Sequence, residues 1–296
     1  MRVLLISANR EKLPSPVVPL GVLAVAGAVR AAGHEVRVVD LCFVEDVQSA
    51  VVEALSFSPD VVGIGLRNLH SNAYDGTEAL VSEYSRLVAL VRERTRATIV
   101  LGGAGFSLQP KRLLERLGGD HGIVGEGERA FVSLLDALDR GEQPPPLIDA
   151  SAVRPAFASI ALRTGVASPV ALADLDLLPP PTRDLTDPAY FLFDGTDSIQ
   201  SKRGCAFQCS YCDYPDLEGR KVRVRDPGLV ADEVAARARV PGVTHAFFVD
   251  SVFNVPPAHA RAICDALIAR GTPLPWVCYG SPVAFDDGLV AAMVRA

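Results

Sequence analysis

Short apolar runs alternate with longer stretches of helical periodicity through the first 140 residues. The apolar runs predict five β-strands, at 3–7, 35–39, 61–66, 98–101 and 122–124. The stretches between and after them predict helices at 20–32, 47–56, 78–95, 110–117 and 128–138. Continuous apolar strands separated by helices of this length are typical of βαβ units, whose strands lie parallel. The pattern predicts an α/β fold with a doubly wound, flavodoxin-like or Rossmann-like parallel sheet domain over residues 1–140.

Prolines interrupt this alternation over residues 141–195, which we interpret as a connector. From residue 196 the alternation resumes, with strands predicted at 198–202, 245–249 and 276–279 and helices at 227–238, 257–270 and 286–295. Three such units are too few to close a barrel. Residues 196–296 are therefore predicted to form the first part of a truncated (β/α) partial TIM-like barrel. We expect either a fragment of a longer protein or a chain that another chain completes.

Composition narrows the class of protein. Apolar residues make up 49% of the chain and charged residues 22%, as in ordinary globular proteins. The formal net charge of −6 argues against nucleic acid as a partner. No apolar run reaches the roughly 18 residues of a membrane span, and the N-terminus begins as a strand rather than as a signal peptide. We expect a cytoplasmic protein without a membrane partner, in which clustered cysteines are metal ligands or catalysts.

Three cysteines lie within one short segment directly after a predicted strand. Cys205, Cys209 and Cys212 have the spacing Cys-x-x-x-Cys-x-x-Cys, and Gly204 precedes the first of them. One loop with this spacing can place three soft ligands around one face of a 4Fe–4S cube, leaving the fourth iron open for chemistry. A structural zinc site is the alternative, although it normally uses four ligands in two pairs.

This cysteine motif resembles that of the radical S-adenosylmethionine superfamily. The resemblance implies that the open iron binds S-adenosylmethionine, whose reductive cleavage gives a 5′-deoxyadenosyl radical. It also implies that Tyr211 lies against the adenine and that Asp250 and Asn254, after the second strand, hold the methionyl part. The alternatives are that Tyr211 packs within the loop and that Asp250 caps a turn.

Glycine-rich segments follow the predicted strands of the first domain, at 65–72, 102–107 and 125–128. In open α/β sheets ligands bind beyond the carboxyl ends of the strands, where glycines let the backbone approach a bulky ligand. Neither a Gly-x-Gly-x-x-Gly dinucleotide fingerprint nor a Walker-type motif is present. These loops by themselves indicate only a ligand-binding doubly wound domain.

Placed before the cysteine motif, the same loops resemble those of the cobalamin-binding radical S-adenosylmethionine family. The resemblance covers the whole chain and implies cobalamin as a further cofactor. It implies two sets of contacts: Gly102, Gly103 and Ser107 with the nucleotide tail, and Arg67, Asn68 and Glu126 near the corrin ring.

The chain departs from many cobalamin domains in its first loop, which contains no histidine. Many members place a cobalt-ligating histidine there, within Asp-x-His-x-x-Gly. His70 lies after the third strand and lacks the flanking Asp and Gly, so it is expected to be a surface residue. We expect cobalt without a protein imidazole ligand, with Arg67 or water beneath it.

The resemblance implies an enzyme that transfers a methyl group to an unactivated carbon of a biosynthetic intermediate. Cobalt would carry the methyl group and the adenosyl radical would abstract a hydrogen atom. The expected partners are a small-molecule or peptide substrate and an external electron donor of the flavodoxin or ferredoxin type. Two alternatives stay open: a radical cyclase, oxidase or rearrangement enzyme with the same cofactors, and a non-enzymatic, truncated cobalamin-binding module.

Overall fold

The computed structural model describes residues 1–69, 76–152, 175–271 and 273–296. These residues form two compact units. The first contains residues 1–152 together with Leu178–Asp187, and the second contains residues 175–177 together with Pro188–Ala296. No helix among the residues described is both long and apolar enough to cross a bilayer.

A six-stranded parallel sheet forms the centre of the first unit. Its strands are β1 Arg2–Ser7, β2 Glu35–Asp40, β3 Val61–Gly65, β4 Thr98–Gly102, β5 His121–Val124 and β6 Leu147–Asp149, in the spatial order β2-β1-β3-β4-β5-β6. The predicted α/β class and all five predicted strands are confirmed, within one or two residues at each end. The predicted number of strands is wrong, because β6 directly follows a proline run and is only 3 residues long, too short to show a strand pattern.

Helices cover both faces of this sheet. They are α1 Leu20–Ala31, α2 Val47–Leu55, α3 Gly76–Arg94, α4 Ala104–Leu108, α5 Pro110–Leu117 and α6 Gly127–Asp139. The apolar side chains of α1 and α6 pack on one face, and those of α2, α3 and α5 pack on the other. The predicted helices are confirmed, whereas α4 was missed because its sequence begins in a glycine-rich segment.

The sheet has a topological switch point between β1 and β3. The chain leaves β1 through α1 towards β2 on one side, whereas it leaves β3 through α3 towards β4 on the other. Ligand crevices in open α/β sheets lie at this point, beyond the carboxyl ends of the strands. The loops that follow β1 and β3 are therefore the first place to look for ligand contacts.

The segment Leu178–Asp187 belongs to the first unit because it packs along α1. Thr182 donates two hydrogen bonds to the carbonyl oxygen of Leu23, from its backbone N–H at 3.0 Å and from its hydroxyl at 3.1 Å. Gly27 leaves room for the carbonyl group of Pro180, which an added Cβ would overlap. This part of the predicted connector is thus bound to a helix.

The second unit contains a parallel sheet of three strands, in the order β11-β10-β7, and a separate two-stranded antiparallel hairpin. The strands are β7 Thr196–Ile199, β8 Lys202–Arg203, β9 Arg223–Val224, β10 His245–Phe248 and β11 Trp276–Cys278. The helices are α7 Ala189–Phe193, α8 Tyr214–Glu218, α9 Pro227–Arg237, α10 Pro257–Ala269 and α11 Asp287–Arg295. The single strand predicted at 198–202 is wrong, because β7 ends at Ile199 and the chain then enters the hairpin.

Candidate cofactor sites

The three-cysteine loop connects the two strands of the hairpin. It begins at Gly204, whose φ of +90° lies in the left-handed region that favours glycine. The N–H of Gly204 donates to Oε2 of Glu218 at 3.1 Å, and the N–H of Cys205 donates to the carbonyl oxygen of Gly219 at 3.1 Å. These contacts close the loop at its base, so its cysteines project from a fixed turn.

The cysteines differ in their access to solvent. Cys205 is 8% exposed at the base of the loop, Cys209 is exposed and Cys212 is partly exposed. Cys209 and Cys212 line a cleft of about 450 Å³. The other lining residues are Gln208, Ser210, Asp213, Pro215, Asp216 and Arg220. Tyr211, predicted to contact adenine, is 88% exposed, so the described residues of this unit leave most of its ring uncovered.

The cysteine loop could hold either of two metal centres, a zinc ion or an iron–sulfur cube. Among the residues with described positions, no three Cys, His, Asp or Glu side chains are placed to bind one metal ion. A zinc ion needs its ligand atoms at about 2.0–2.3 Å from a single point. In an iron–sulfur cube each thiolate binds a different iron, so the sulfurs stay apart. The loop brings three soft thiol donors into one short turn, two of them open to a cleft, and so fits a cube.

A buried polar network lies where the hairpin meets the end of β10. Asp250 is 1% exposed and follows that strand by two residues. Its carboxylate accepts hydrogen bonds from the N–H of Ser201 at 2.8 Å, from the hydroxyl of Ser201 at 2.6 Å and from the N–H of Lys202 at 3.1 Å. Asp250 therefore holds the backbone that enters the cysteine loop. It lies inside the unit, and its predicted contact with S-adenosylmethionine stays a prediction.

Two further side chains complete the network. The ammonium group of Lys202 donates to the carbonyl oxygens of Val252 and Val255, and Nε2 of His259 lies 3.2 Å from the hydroxyl of Ser201. Burial lowers the pKa of Lys202 and raises the pKa of Asp250. Burial, assisted by the charge of Lys202, lowers the pKa of His259 to about 4, so its imidazole is neutral at pH 7.

Asn254 is fully buried and uses its amide within the unit. Its Nδ2 donates to the carbonyl oxygens of Ser281 and Val283, both at 2.9 Å, and its Oδ1 accepts from the N–H of Ser281 at 2.8 Å. These bonds hold the loop between β11 and α11. The predicted role of Asn254 towards S-adenosylmethionine is likewise a prediction.

Three glycines lie at the end of β4 and directly after it, and they differ in how closely other atoms approach them. Gly103 has a φ of +97°, and an added Cβ would lie 2.6 Å from the carbonyl oxygen of Leu66. At Gly105 an added Cβ would lie 3.0–3.1 Å from backbone atoms of Arg67 and Asn68. Both glycines therefore let the loop after β4 pack against the loop after β3. At Gly102, the last residue of β4, an added Cβ would lie 3.8 Å from the carbonyl oxygen of Ile123, an ordinary van der Waals distance, so a methyl group fits there without displacing its neighbours.

Other predicted contacts of the first unit lie in these same loops. The hydroxyl of Ser107 donates to the carbonyl oxygen of Gly103 at 2.9 Å and accepts from the N–H of Gly125 at 3.0 Å, joining the loops after β4 and β5. Glu126 directly precedes α6 and is partly exposed. Arg67 is exposed at the end of β3. His70 lies outside the described ranges.

The backbone carbonyl group of Asn68 is held by a tyrosine that the sequence analysis did not single out. Tyr84 on α3 is 2% exposed, and its hydroxyl donates to the carbonyl oxygen of Asn68 at 2.8 Å. Burial raises the pKa of Tyr84 to about 12. Sequence reasoning also missed Ser201, Lys202 and His259. Of these positions only Lys202 carried a signal, because it lies beside the cysteine motif.

Comparisons with known proteins cover both units. A model of the B12 binding domain matches residues 6–135. Tryptophan 2-C-methyltransferase of Streptomyces laurentii is 26% identical, over 97% of this chain and 57% of its own length. Hopanoid C-3 methylase of Methylococcus capsulatus is 31% identical, over 86% of this chain and 46% of its own length. The chain thus spans about half the length of these relatives.

A solved structure matches almost the entire chain. It is the radical S-adenosylmethionine methyltransferase TsrM from Kitasatospora setae, with tryptophan substrate and the analogue aza-SAM bound. It is 28% identical, with a TM-score of 0.79, and the match covers 99% of this chain and 57% of that one. The glycine loops thus lie in a B12-binding domain and the cysteine loop in the part shared with TsrM. With both parts in one polypeptide, the predicted resemblance to the cobalamin-binding radical S-adenosylmethionine family is confirmed.

Proposed function

We propose that the protein transfers a methyl group from S-adenosylmethionine to an unactivated carbon of a small molecule. This chain is the whole of that protein or a part of it. The observation that carries the proposal is the cysteine loop, closed at Gly204 and open to a cleft at Cys209 and Cys212. It lies on the same chain as a B12-binding domain. The methyltransferase relatives support methyl transfer over the other reactions of these cofactors.

The overall reaction balances with two molecules of S-adenosylmethionine and two electrons. Together with one substrate C–H bond they give the methylated substrate, S-adenosylhomocysteine, methionine and 5′-deoxyadenosine. When bound, cobalamin supplies a carrier for the methyl group, and the cluster supplies the electron that cleaves the second sulfonium. The two electrons come from an external donor of the flavodoxin or ferredoxin type. We place the reaction in the cytoplasm, where thiols stay reduced.

Residues of this chain have three tasks in the proposal. Cys205, Cys209 and Cys212 would hold the cluster by their thiolates, and an iron without a protein ligand would be available to bind S-adenosylmethionine. Asp250, through Ser201, fixes the strand end from which the cysteine loop starts. Residues 196–296 would form the first part of a (β/α) barrel.

Further contacts are proposed around the two cofactors. Gly102, Gly103 and Ser107 would line the space for the cobalamin nucleotide tail, and Arg67, Asn68 and Glu126 would lie near the corrin. Tyr211 and Asn254 would contact S-adenosylmethionine.

The test begins with the complete chain prepared without oxygen. Iron, sulfide and cobalt are measured per chain after reconstitution with iron, sulfide and hydroxocobalamin. We expect about four irons and about four sulfides, as in a 4Fe–4S cluster, and one cobalt. Cys205→Ala, Cys209→Ala and Cys212→Ala should each lose the iron and retain the cobalt. Cys278→Ser is the matched control, since Cys278 lies on β11 outside the loop, and it should retain both.

Turnover is then measured with S-adenosylmethionine and a strong reductant. Release of S-adenosylhomocysteine indicates methyl transfer, and release of 5′-deoxyadenosine indicates reductive cleavage. Deoxyadenosine alone would favour a cyclase, oxidase or rearrangement enzyme. Loaded protein that releases neither product would overturn the enzymatic proposal for this chain and leave a cobalamin-binding module.

A further inference from the structure

A buried amide lies at the switch point of the first sheet. Asn9 follows β1 by two residues and is 7% exposed. Its Nδ2 atom is buried and has no hydrogen-bond partner in the part of the chain that the structure describes. The preceding residue, Ala8, donates its N–H to the carbonyl oxygen of Gly65 at 3.2 Å. Asn9 therefore lies at the carboxyl end of β1, beside the end of β3.

An unpaired buried donor is unusual and needs a reason. Buried side-chain amides are hydrogen-bonded in the large majority of cases, because a buried N–H without an acceptor has lost its bond to water. The buried Asn254 of the second unit follows this rule, with two acceptors for its Nδ2. At Asn9 an apolar side chain would avoid the penalty. The amide is explained if its acceptor comes from a molecule bound beside it.

The position of Asn9 identifies where that acceptor lies. The loops after β1 and β3 border the switch-point crevice, and Leu66 follows β3 there with its N–H bonded to Gly102 at 2.8 Å. The backbone N–H groups of Ala8 and Leu66 are thus bonded to neighbouring strands, while the side-chain amide of Asn9 still has a proton to donate. A ligand in the crevice needs an oxygen acceptor to meet it.

We propose that Asn9 is a cobalamin-binding residue, whose side-chain N–H donates a hydrogen bond to a carbonyl oxygen of a corrin side-chain amide. The inference rests on the proposed function, because it takes cobalamin as the ligand of this crevice. Corrin carries primary amides around its rim, which supply the neutral carbonyl acceptor that a buried neutral amide requires. Asn9 thereby fixes the rim of the cofactor from the β1 side.

The test compares cobalamin affinity with the stability of the cofactor-free protein. Asn9→Ala removes the donor, and Asn9→Leu, which also lacks a donor but keeps most of the side-chain volume, is a second variant in case the first does not fold. Hydroxocobalamin binding is followed by equilibrium dialysis and by its absorption spectrum. We expect Kd to rise about tenfold in both variants, equivalent to about 1.4 kcal/mol. The urea midpoint of the cofactor-free protein should fall little, since Nδ2 of Asn9 has no hydrogen-bond partner among the described residues.

The control has the opposite signature. Thr182→Val removes a buried hydroxyl that does have an acceptor, the carbonyl oxygen of Leu23. It should lower the urea midpoint and leave the cobalamin Kd unchanged. Asn9 variants that behave like Thr182→Val would overturn the inference and assign Asn9 a structural hydrogen bond, with a buried water for example. If the unaltered protein bound no cobalamin, the proposed cofactor itself would be wrong, and the inference would fail with it.

Discussion

Replacing Gly204 by alanine should lower both the stability of the second unit and its capacity to hold a cluster. Gly204 has a φ of +90°, and an added Cβ would overlap the carbonyl oxygen of Lys221 and lie 3.0 Å from its carbonyl carbon. The obstacle is backbone and cannot rotate away. Gly271 is the matched control, with a φ of +76° and nothing within 4 Å of an added Cβ.

The expected losses follow from these two environments. The left-handed conformation costs an alanine roughly 1–2 kcal/mol, and this is the whole expected cost of Gly271→Ala. Gly204→Ala adds the displacement of backbone atoms, for which overpacking costs about 1–3 kcal/mol more. The variant should therefore lose about 2–5 kcal/mol. Displacing this turn also moves Cys205, whose N–H bonds to the carbonyl oxygen of Gly219 at 3.1 Å.

Two measurements decide the outcome. Urea unfolding followed by circular dichroism gives the free energy of unfolding, and iron and sulfide are measured after anaerobic reconstitution. We expect Gly271→Ala to lose some stability and keep its iron, and Gly204→Ala to lose more stability and most of its iron. Equal losses of stability with full iron content in both variants would refute the role assigned to Gly204.

Three further predictions concern other residues. Gly102→Ala should leave the urea midpoint nearly unchanged but weaken cobalamin binding in dialysis, whereas Gly103→Ala should lower the midpoint. The reverse result would mean that the ligand does not approach Gly102. Tyr84→Phe should lower the free energy of unfolding by about 0.5–1.5 kcal/mol and weaken cobalamin binding several-fold, because the carbonyl group of Asn68 loses its donor. An unchanged affinity would mean that the loop containing Asn68 does not contact the cofactor. Because the pKa of His259 is lowered from 6.5 to about 4, the unfolded chain binds the proton first, and stability should fall as the pH falls from about 6.5 to 4. His259→Gln should reduce that dependence in urea titrations at several pH values, and an unchanged dependence would contradict the lowered pKa.

The first sheet was predictable because its central strands β1, β3 and β4 consist mainly of apolar residues or glycine, and each is followed by a helical period. A strand that is buried on both faces is apolar along its length, and this pattern can be recognised in the sequence without knowing which strands lie beside it. β6 was missed because its pairing is determined by the neighbouring strand: the carbonyl oxygen of Pro146 accepts from the N–H of Gly122 at 2.7 Å. The hairpin of β8 and β9 was missed for the same reason, since the two strands are separated by the whole cysteine loop.

The residues of the candidate sites likewise include some that a local sequence pattern identifies and others that only the folded structure brings together. The spacing of Cys205, Cys209 and Cys212 is local, so the sequence was sufficient to identify them as candidate ligands. The partners of Asp250 lie 48–49 residues earlier in the chain, and no local pattern joins such distant positions. Asn9 could not be singled out either, because an unsatisfied amide is recognised only when all its surroundings are known.

The binding of Leu178–Asp187 to α1 determines how the B12-binding domain should be isolated. A recombinant polypeptide ending after β6 would lack Thr182, so the carbonyl oxygen of Leu23 would lose the two hydrogen bonds that Thr182 donates. It would also lack Pro180, whose carbonyl group packs against Gly27. It would also lack Asp184, whose carboxylate pairs with Arg30 of the same helix at 3.0 Å. A polypeptide extended to Asp187 would keep all three contacts and is the version to use for calorimetry and ligand titration.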